Sequence, residues 1–262
     1  MSGNYYQIGN IELAVSALLM VIALFLSRLK KAGLEKDLLT GTLRCFAQLM
    51  AIGYILKIIF DANRWYWVLL VLAVMITVAG FEAVRRDKKQ TPGFQPVVIG
   101  AIGGSTLFVM ALSLLFIVRV RPWYNPQYVI PMMGMLISNA MNGASLLMNR
   151  IRGEFTANRD LIEAKLSLGA TGKQAVEGLV ASAIRAAMIP AINYLMVIGL
   201  VALPGMMTGQ IIAGASPIES VRYQIAIMYM ITAANAITIY ITAHFASRGY
   251  FTGDHQLRDE LL

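Results

Sequence analysis

The sequence predicts an all-α, polytopic membrane protein, and three observations predict it. Of its 262 residues, 58% are hydrophobic and only 14% charged, with a mean hydropathy of +0.65, whereas about a quarter of the residues of a soluble domain are charged. The apolar residues come in continuous runs, such as 11–26 and 68–79, where a membrane β-barrel needs apolar and polar residues to alternate over about ten positions. The basic residues gather in short stretches between those runs, as the loops at one membrane face require. Crossing roughly 30 Å of hydrocarbon takes about 20 helical residues, so the chain holds about seven spans in a single transmembrane domain, 1–262.

The first span, 9–27, follows a polar, uncharged start and precedes Arg28, Lys30 and Lys31; a signal peptide has the opposite order. Further spans are predicted at 38–60, 66–84, 97–118, 129–148, 184–202 and 219–244. On alternate loops, Arg28 to Lys36, then Arg85, Arg86, Lys88 and Lys89, then Arg150 to Arg185, then Arg248 and Arg258 share one side. Only Arg64, Arg119, Arg121 and Arg222 fall on the other. Positive charge favours the cytoplasmic face, so a plasma or inner membrane is expected, with the amino terminus outside and the carboxyl terminus in the cytoplasm. Trp65, Trp67 and Trp123, with Tyr66, Tyr124 and Tyr128, mark the outer boundary as an aromatic belt.

The net charge of +8 does not point to nucleic acid, because the basic residues flank spans where they meet lipid head groups. One cysteine, Cys45, excludes an internal disulfide. No repeat or low-complexity tract stands out. Two segments interrupt the regular pattern. The stretch at about 149–183 is too long for a simple loop and is read as one or two helices at the membrane surface. The segment Leu203-Pro204-Gly205-Met206-Met207-Thr208-Gly209 breaks an apolar region, either as a re-entrant turn beside a pathway or as a plain loop; Pro204, Gly205 and Gly209 are its breakers.

Polar groups within spans are the candidates for function. Glu12, Lys57 and Glu82 lie near span ends and can reach water. Arg44 lies about two turns inside its span with Gln48 one turn on, able to pair structurally or face a pathway. Gly134, Ser138, Asn142, Ser145 and Asn149 share one helical face. Thr232, Asn235, Thr238 and Thr242 repeat the pattern, and Asn193 adds an amide. Such residues either glue helices together or line a hydrophilic path, for which Arg44, Gln48, Ser138, Asn142, Ser145, Asn193 and Asn235 are the candidates.

The sixteen methionines read as apolar filler rather than as thioether ligands. His244 and His255 lie at or beyond the end of the last span, and no span holds a deep His, Cys or carboxylate cluster, so metal contacts are unassigned. No nucleophile, base and orienting group converge, so the chain does not read as an enzyme. Gly169-Ala170-Thr171-Gly172-Lys173-Gln174 fails as a phosphate loop, with two residues between its glycines instead of four and Gln after the lysine. No cofactor is therefore expected on this chain.

Around that lookalike, Leu161, Ala164, Leu168 and Ala175 form an apolar stripe on a short amphipathic helix, and Gly169 permits a sharp turn. Helix, turn and helix suit either docking into a partner's groove or resting on the lipid surface. Here the sequence resembles the coupling element of ABC transporter permeases, a Glu-Ala-Ala motif followed six residues after the Glu by Gly. Glu163, Ala164 and Gly169 match, Lys165 replaces the second Ala, and the Ile-Leu-Pro end is missing at its usual spacing.

A wider resemblance runs through nearly the whole chain. Gly33-Leu34-Glu35-Lys36-Asp37, Gly53-Tyr54-Ile55-Leu56-Lys57, Ile130-Pro131-Met132-Met133-Gly134-Met135 with Asn139-Ala140-Met141, Leu166-Ser167-Leu168-Gly169-Ala170-Thr171 and Leu203-Pro204-Gly205-Met206-Met207 are similar to the Fet-type iron-export permeases of bacteria. Plant relatives in that family are associated with aluminium tolerance. Gly172 stands where relatives often have Pro, implying a looser turn.

The resemblance implies a permease that pairs with a separate ABC ATP-binding subunit, two copies of each, to export iron. ATP and magnesium would then reside on the partner, and Glu163, Ala164, Leu168, Gly169 and Ala170 would couple to it. The same machine carrying an organic solute such as a nucleotide sugar is the alternative within transport, and a non-transporting scaffold the alternative outside it.

Overall fold

The computed structural model describes residues 9–31, 33–85, 93–254, 256–258 and 261. Arg86, Lys88, Lys89 and His255, singled out above, lie outside that set. The described residues form α1 (Asn10–Leu29), α2 (Glu35–Ala62), α3 (Trp65–Arg85), α4 (Phe94–Leu112), α5 (Pro126–Ala157), α6 (Arg159–Ser167), α7 (Gly172–Val197), α8 (Gly205–Ile212) and α9 (Pro217–Gly249). A π-helical turn at Ser113–Ile117 ends α4. No strand is present among them, as the fold class predicts.

Two compact units divide the chain, one comprising residues up to Arg64 with Ile212–Gly214, the other Trp65–Ile211 with Ala215 onward. In the first, α1 and α2 pair as a hairpin. Ser27 ties its corner: the hydroxyl donates to Glu35 Oε1 at 3.0 Å and accepts the Leu34 N–H at 3.2 Å. Apart from that corner the hairpin is clothed in exposed apolar side chains, among them Leu18, Phe25, Leu43, Phe46 and Ile58. Such a surface is stable against hydrocarbon and not against water.

The second unit is built around α5. This helix packs against α3, α4, α7 and α9, and Met132, Met133, Leu136, Ala140, Ala144 and Leu147 are wholly buried. Close approach of the helices depends on small residues, as expected where no hydrophobic force separates protein from lipid. An added Cβ on Gly80 of α3 would sit 3.0 Å from the Ile99 Cα of α4. Ser105 of α4 and Thr238 of α9 hydrogen-bond across their seam.

Among the described residues six helices, α1, α2, α3, α4 with its π turn, α7 and α9, are long and apolar enough to cross a membrane. The fifth expected span is α5. With 32 residues it reaches about 48 Å, but its amides, serines and glycines leave it less apolar than the others. That composition is tolerable because protein rather than lipid surrounds most of it.

The stretch at 149–183 holds one separate short helix, within the one or two expected, and the rest of it belongs to its neighbours. α5 runs on to Ala157 and α7 begins as early as Gly172, leaving only the nine-residue α6 between them. The extension has a packing cause: Ile151, Phe155, Ile162, Val176 and Tyr250 form one buried cluster, with the Phe155 and Tyr250 rings edge-to-face at 5.1 Å. Between α5 and α7, Arg150 pairs with Glu154 at 2.9 Å one turn on, and the Ser182 hydroxyl of α7 donates to the same carboxylate at 3.3 Å.

Candidate functional site: an amide-lined cavity and an exposed turn

A cavity of about 470 Å³ opens between α5, α7, α9 and the start of α8. Its polar wall is made of amides: Asn139 and Asn142 of α5, and Gln224 and Asn235 of α9. Gln224 and Asn235 stand eleven residues apart, three helical turns, and so share one face. Both are more than nine-tenths buried, and Gln224 Oε1 and Asn235 Oδ1 have no hydrogen-bond partner. Thr232 between them is spent on its own helix, its hydroxyl donating to the Met228 carbonyl at 2.9 Å. Two unpartnered buried carbonyl oxygens are costly, and they suit a guest that brings hydrogen-bond donors or positive charge.

Gly143 makes room for this arrangement. Asn235 Oδ1 rests against the Gly143 backbone, where an added Cβ would also lie 3.0 Å from Asn235 Cγ and Ile239 Cδ1. Pro190 of α7 borders the cavity and interrupts the backbone ladder of its helix.

Of the residues predicted to line a path, Asn142 and Asn235 reach the cavity. Ser138 is exposed elsewhere, its hydroxyl donating to Met135 O at 3.1 Å, and Ser145 is buried away from the cavity. The stripe through Ser138, Asn142 and Ser145 is rotated from the face that lines it, which runs Met135, Asn139, Asn142, Leu146. Asn193 is exposed on α7, and Arg44 and Gln48 belong to α2 in the other unit. Asn139, Gln224, Met135 and Tyr194 also line the cavity and are not among the residues predicted to line a path; the signal for Gln224 is an amide at the start of the apolar run 225–231.

The broken segment resolves into a turn at 198–204 and the short helix α8. Pro204 accepts the Thr208 N–H at 3.0 Å and the Thr208 hydroxyl at 2.7 Å. Pro204 and Gly205 line the cavity and Gly209 does not, so the interrupted backbone stands against protein and an opening.

At the opposite end of this unit, α6 closes on a Schellman turn. The Ala170 N–H donates to Lys165 O at 3.1 Å and the Gly169 N–H to Leu166 O at 2.9 Å, with Gly169 at φ +90°. Thr171 then caps α7 in a reciprocal capping box with Gln174. The phosphate-loop lookalike is therefore a helix start. Gly172 is buried there against the Phe251 ring.

Ile162 anchors α6 in the core, and the Lys165 ammonium donates to Ala175 O at 3.2 Å. The expected apolar stripe is split: Leu161, Ala164 and Leu168 face outward, Leu168 at 88% exposure, whereas Ala175 is buried. Glu163 is also exposed and pairs with Arg159 at 3.0 Å.

No group of three or more His, Cys, Asp or Glu that could hold a metal ion occurs among the described residues.

The family profile described as "Uncharacterised protein family (UPF0014)" matches residues 10–251. The Probable iron export permease protein FetB of Escherichia coli K12 is 35% identical over 260 residues, covering 97% of this chain and 96% of that protein. The UPF0014 membrane protein YjkA of Bacillus subtilis 168 is 38% identical over 248 residues, covering 95% and 98%. Protein ALUMINUM SENSITIVE 3 of Arabidopsis thaliana is 31% identical over 254 residues, covering 97% and 92%. No solved structure matches the chain.

Proposed function

The chain belongs to the UPF0014 family of membrane proteins, and from that premise we propose that it is the permease subunit of an ABC exporter that moves iron. The observation that carries this reading is the end-to-end likeness to a protein named as a probable iron export permease. The amide-lined cavity between α5, α7 and α9 is the place for cargo, with Asn142, Asn235, Asn139 and Gln224 in contact with it. Alternating access needs helices that can give way beside the site, and Pro190 and the turn before α8 supply such points.

In this reading the outward Leu161, Ala164 and Leu168, with Glu163 and the Gly169–Ala170 turn, dock into an ATP-binding subunit that carries ATP and magnesium. Two permeases and two ATPases make the transporter, embedded in the inner membrane with the amino terminus outside. The cavity also favours a second cargo class: a neutral amide wall without an acidic cluster suits a hydroxyl-bearing organic solute such as a nucleotide sugar as readily as a cation.

The test is transport by proteoliposomes holding the chain and the ATP-binding subunit with which it co-purifies. ATP-dependent iron movement is expected. ATPase activity without iron movement overturns the cargo and turns attention to organic solutes. Leu168→Asp, at a side chain too exposed to disturb folding, is expected to abolish co-purification of the ATPase; unchanged co-purification overturns the docking assignment.

A further inference from the structure

The end of the second unit that carries Trp123 and Tyr124 holds a feature unrelated to the amide cavity. Three arginines converge there from two segments distant in the chain. Arg119 and Arg121 follow the π turn that ends α4, and Arg222 lies in the second turn of α9. They line one open cavity of about 610 Å³ together with Asn125, Tyr128 and Glu219. None of the three guanidinium groups is ion-paired with a described carboxylate, Glu219 included. Three fixed positive charges thus face one negative charge within a single hollow, and like charges so gathered repel.

The placement is as unusual as the clustering. Among the described residues of this unit, every Lys or Arg at the aromatic end is one of these three. The positive-inside bias keeps cations away from one face of a membrane protein, so those that remain there and share one cavity call for a reason. Arginine offers a planar fork of donors that matches the oxygens of phosphate in pairs, and it stays charged at any working pH. The neutral neighbours add donors of the same use. Asn125 Oδ1 is held by the Gln127 N–H at 3.1 Å, which leaves the amide hydrogens of that side chain for a ligand, and Tyr128 brings a phenol.

We propose that this cavity binds a phosphate-bearing anion, with Arg119, Arg121 and Arg222 as the charged contacts and Asn125 and Tyr128 as neutral donors. The phosphate comes from one of two sources, a phospholipid head group reaching in from the bilayer or a soluble phosphate compound. The site goes beyond the permease reading and stands whether or not the chain moves iron.

Two arms test it on the full-length chain. In the first, inorganic phosphate is titrated into protein in neutral detergent, with thermal midpoint as readout and chloride at equal ionic strength as reference. In the second, protein is extracted from vesicles of phosphatidylcholine with phosphatidylglycerol, and retained lipid is counted by native mass spectrometry. Each arm compares wild type with R119Q/R121Q/R222Q and with R64Q, an arginine of the other unit. A phosphate-specific shift weakened about tenfold or more only in the triple variant supports a soluble ligand. Loss of retained phosphatidylglycerol only in the triple variant supports a lipid head group. If the triple Gln variant does not elute as folded protein, the triple Lys variant, which keeps charge and loses the fork, takes its place. Phosphate and lipid occupancy equal in wild type and variant in both arms overturns the proposal.

Discussion

Gly143→Ala is the sharpest probe of how the amide cavity is built. The new Cβ would stand 3.0 Å from Asn235 Cγ and from Ile239 Cδ1, inside the 3.4 Å at which ordinary contact begins, and closer still to Asn235 Oδ1. Ile239 is wholly buried and has no open space to enter, so Asn235 must yield by turning further into the cavity. Overpacking of this kind costs about 1–3 kcal/mol. Asn235→Ala alone removes a buried carbonyl that has no partner, and its cost is expected to stay within about 1 kcal/mol. With both changes the obstruction is largely gone, so the double variant should be about 1–2 kcal/mol more stable than the sum of the single effects. Equilibrium unfolding in mixed micelles measures all four corners of the cycle. Additivity within about 0.5 kcal/mol would refute the claim that Gly143 exists to seat Asn235.

Two further outcomes follow from the same geometry. Gly169 sits at φ +90° with nothing within 4 Å, so Gly169→Ala should cost about 1–2 kcal/mol by backbone strain alone, whereas Gly178→Ala, within α7 and equally uncrowded, should be neutral or stabilising by up to about 1 kcal/mol; indistinguishable unfolding midpoints would contradict the Schellman turn. With Cys45, which is exposed, replaced by alanine, a water-soluble maleimide should label Asn142→Cys on the cavity wall and spare Ser145→Cys, whose position is 5% exposed, and equal protection of both would show that the cavity is closed to water.

The coupling turn illustrates how much of a site is legible in sequence. Gly169 is a local feature, set by backbone sterics, and the sharp turn it predicts is where it should be; the Thr171 and Gln174 capping pair, side chains three residues apart, is equally local. The facing of α6 is not local. Ala175 looks like the fourth member of an apolar stripe until α7 starts at Gly172 and turns it inward, because the buried cluster of Phe155, Ile162 and Tyr250 draws the helices together there. The same limit applies to α5, where one polar stripe reads well by period and yet only Asn142 of its members lines the cavity, the true face being fixed by where α7 and α9 pack.

By itself, the sequence determined the membrane class, the helical content, the family and the positions of most helix ends. These follow from hydropathy, from the length needed to cross hydrocarbon, and from residues that act on their immediate neighbours. Tertiary structure alone decided which amides meet. Gln224 and Asn235 acquire meaning only when α9 lies against α5 at Gly143, and Arg119, Arg121 and Arg222 only when the end of α4 meets the start of α9. Neither meeting is encoded in any local window, since each arises from the packing of helices distant in the chain.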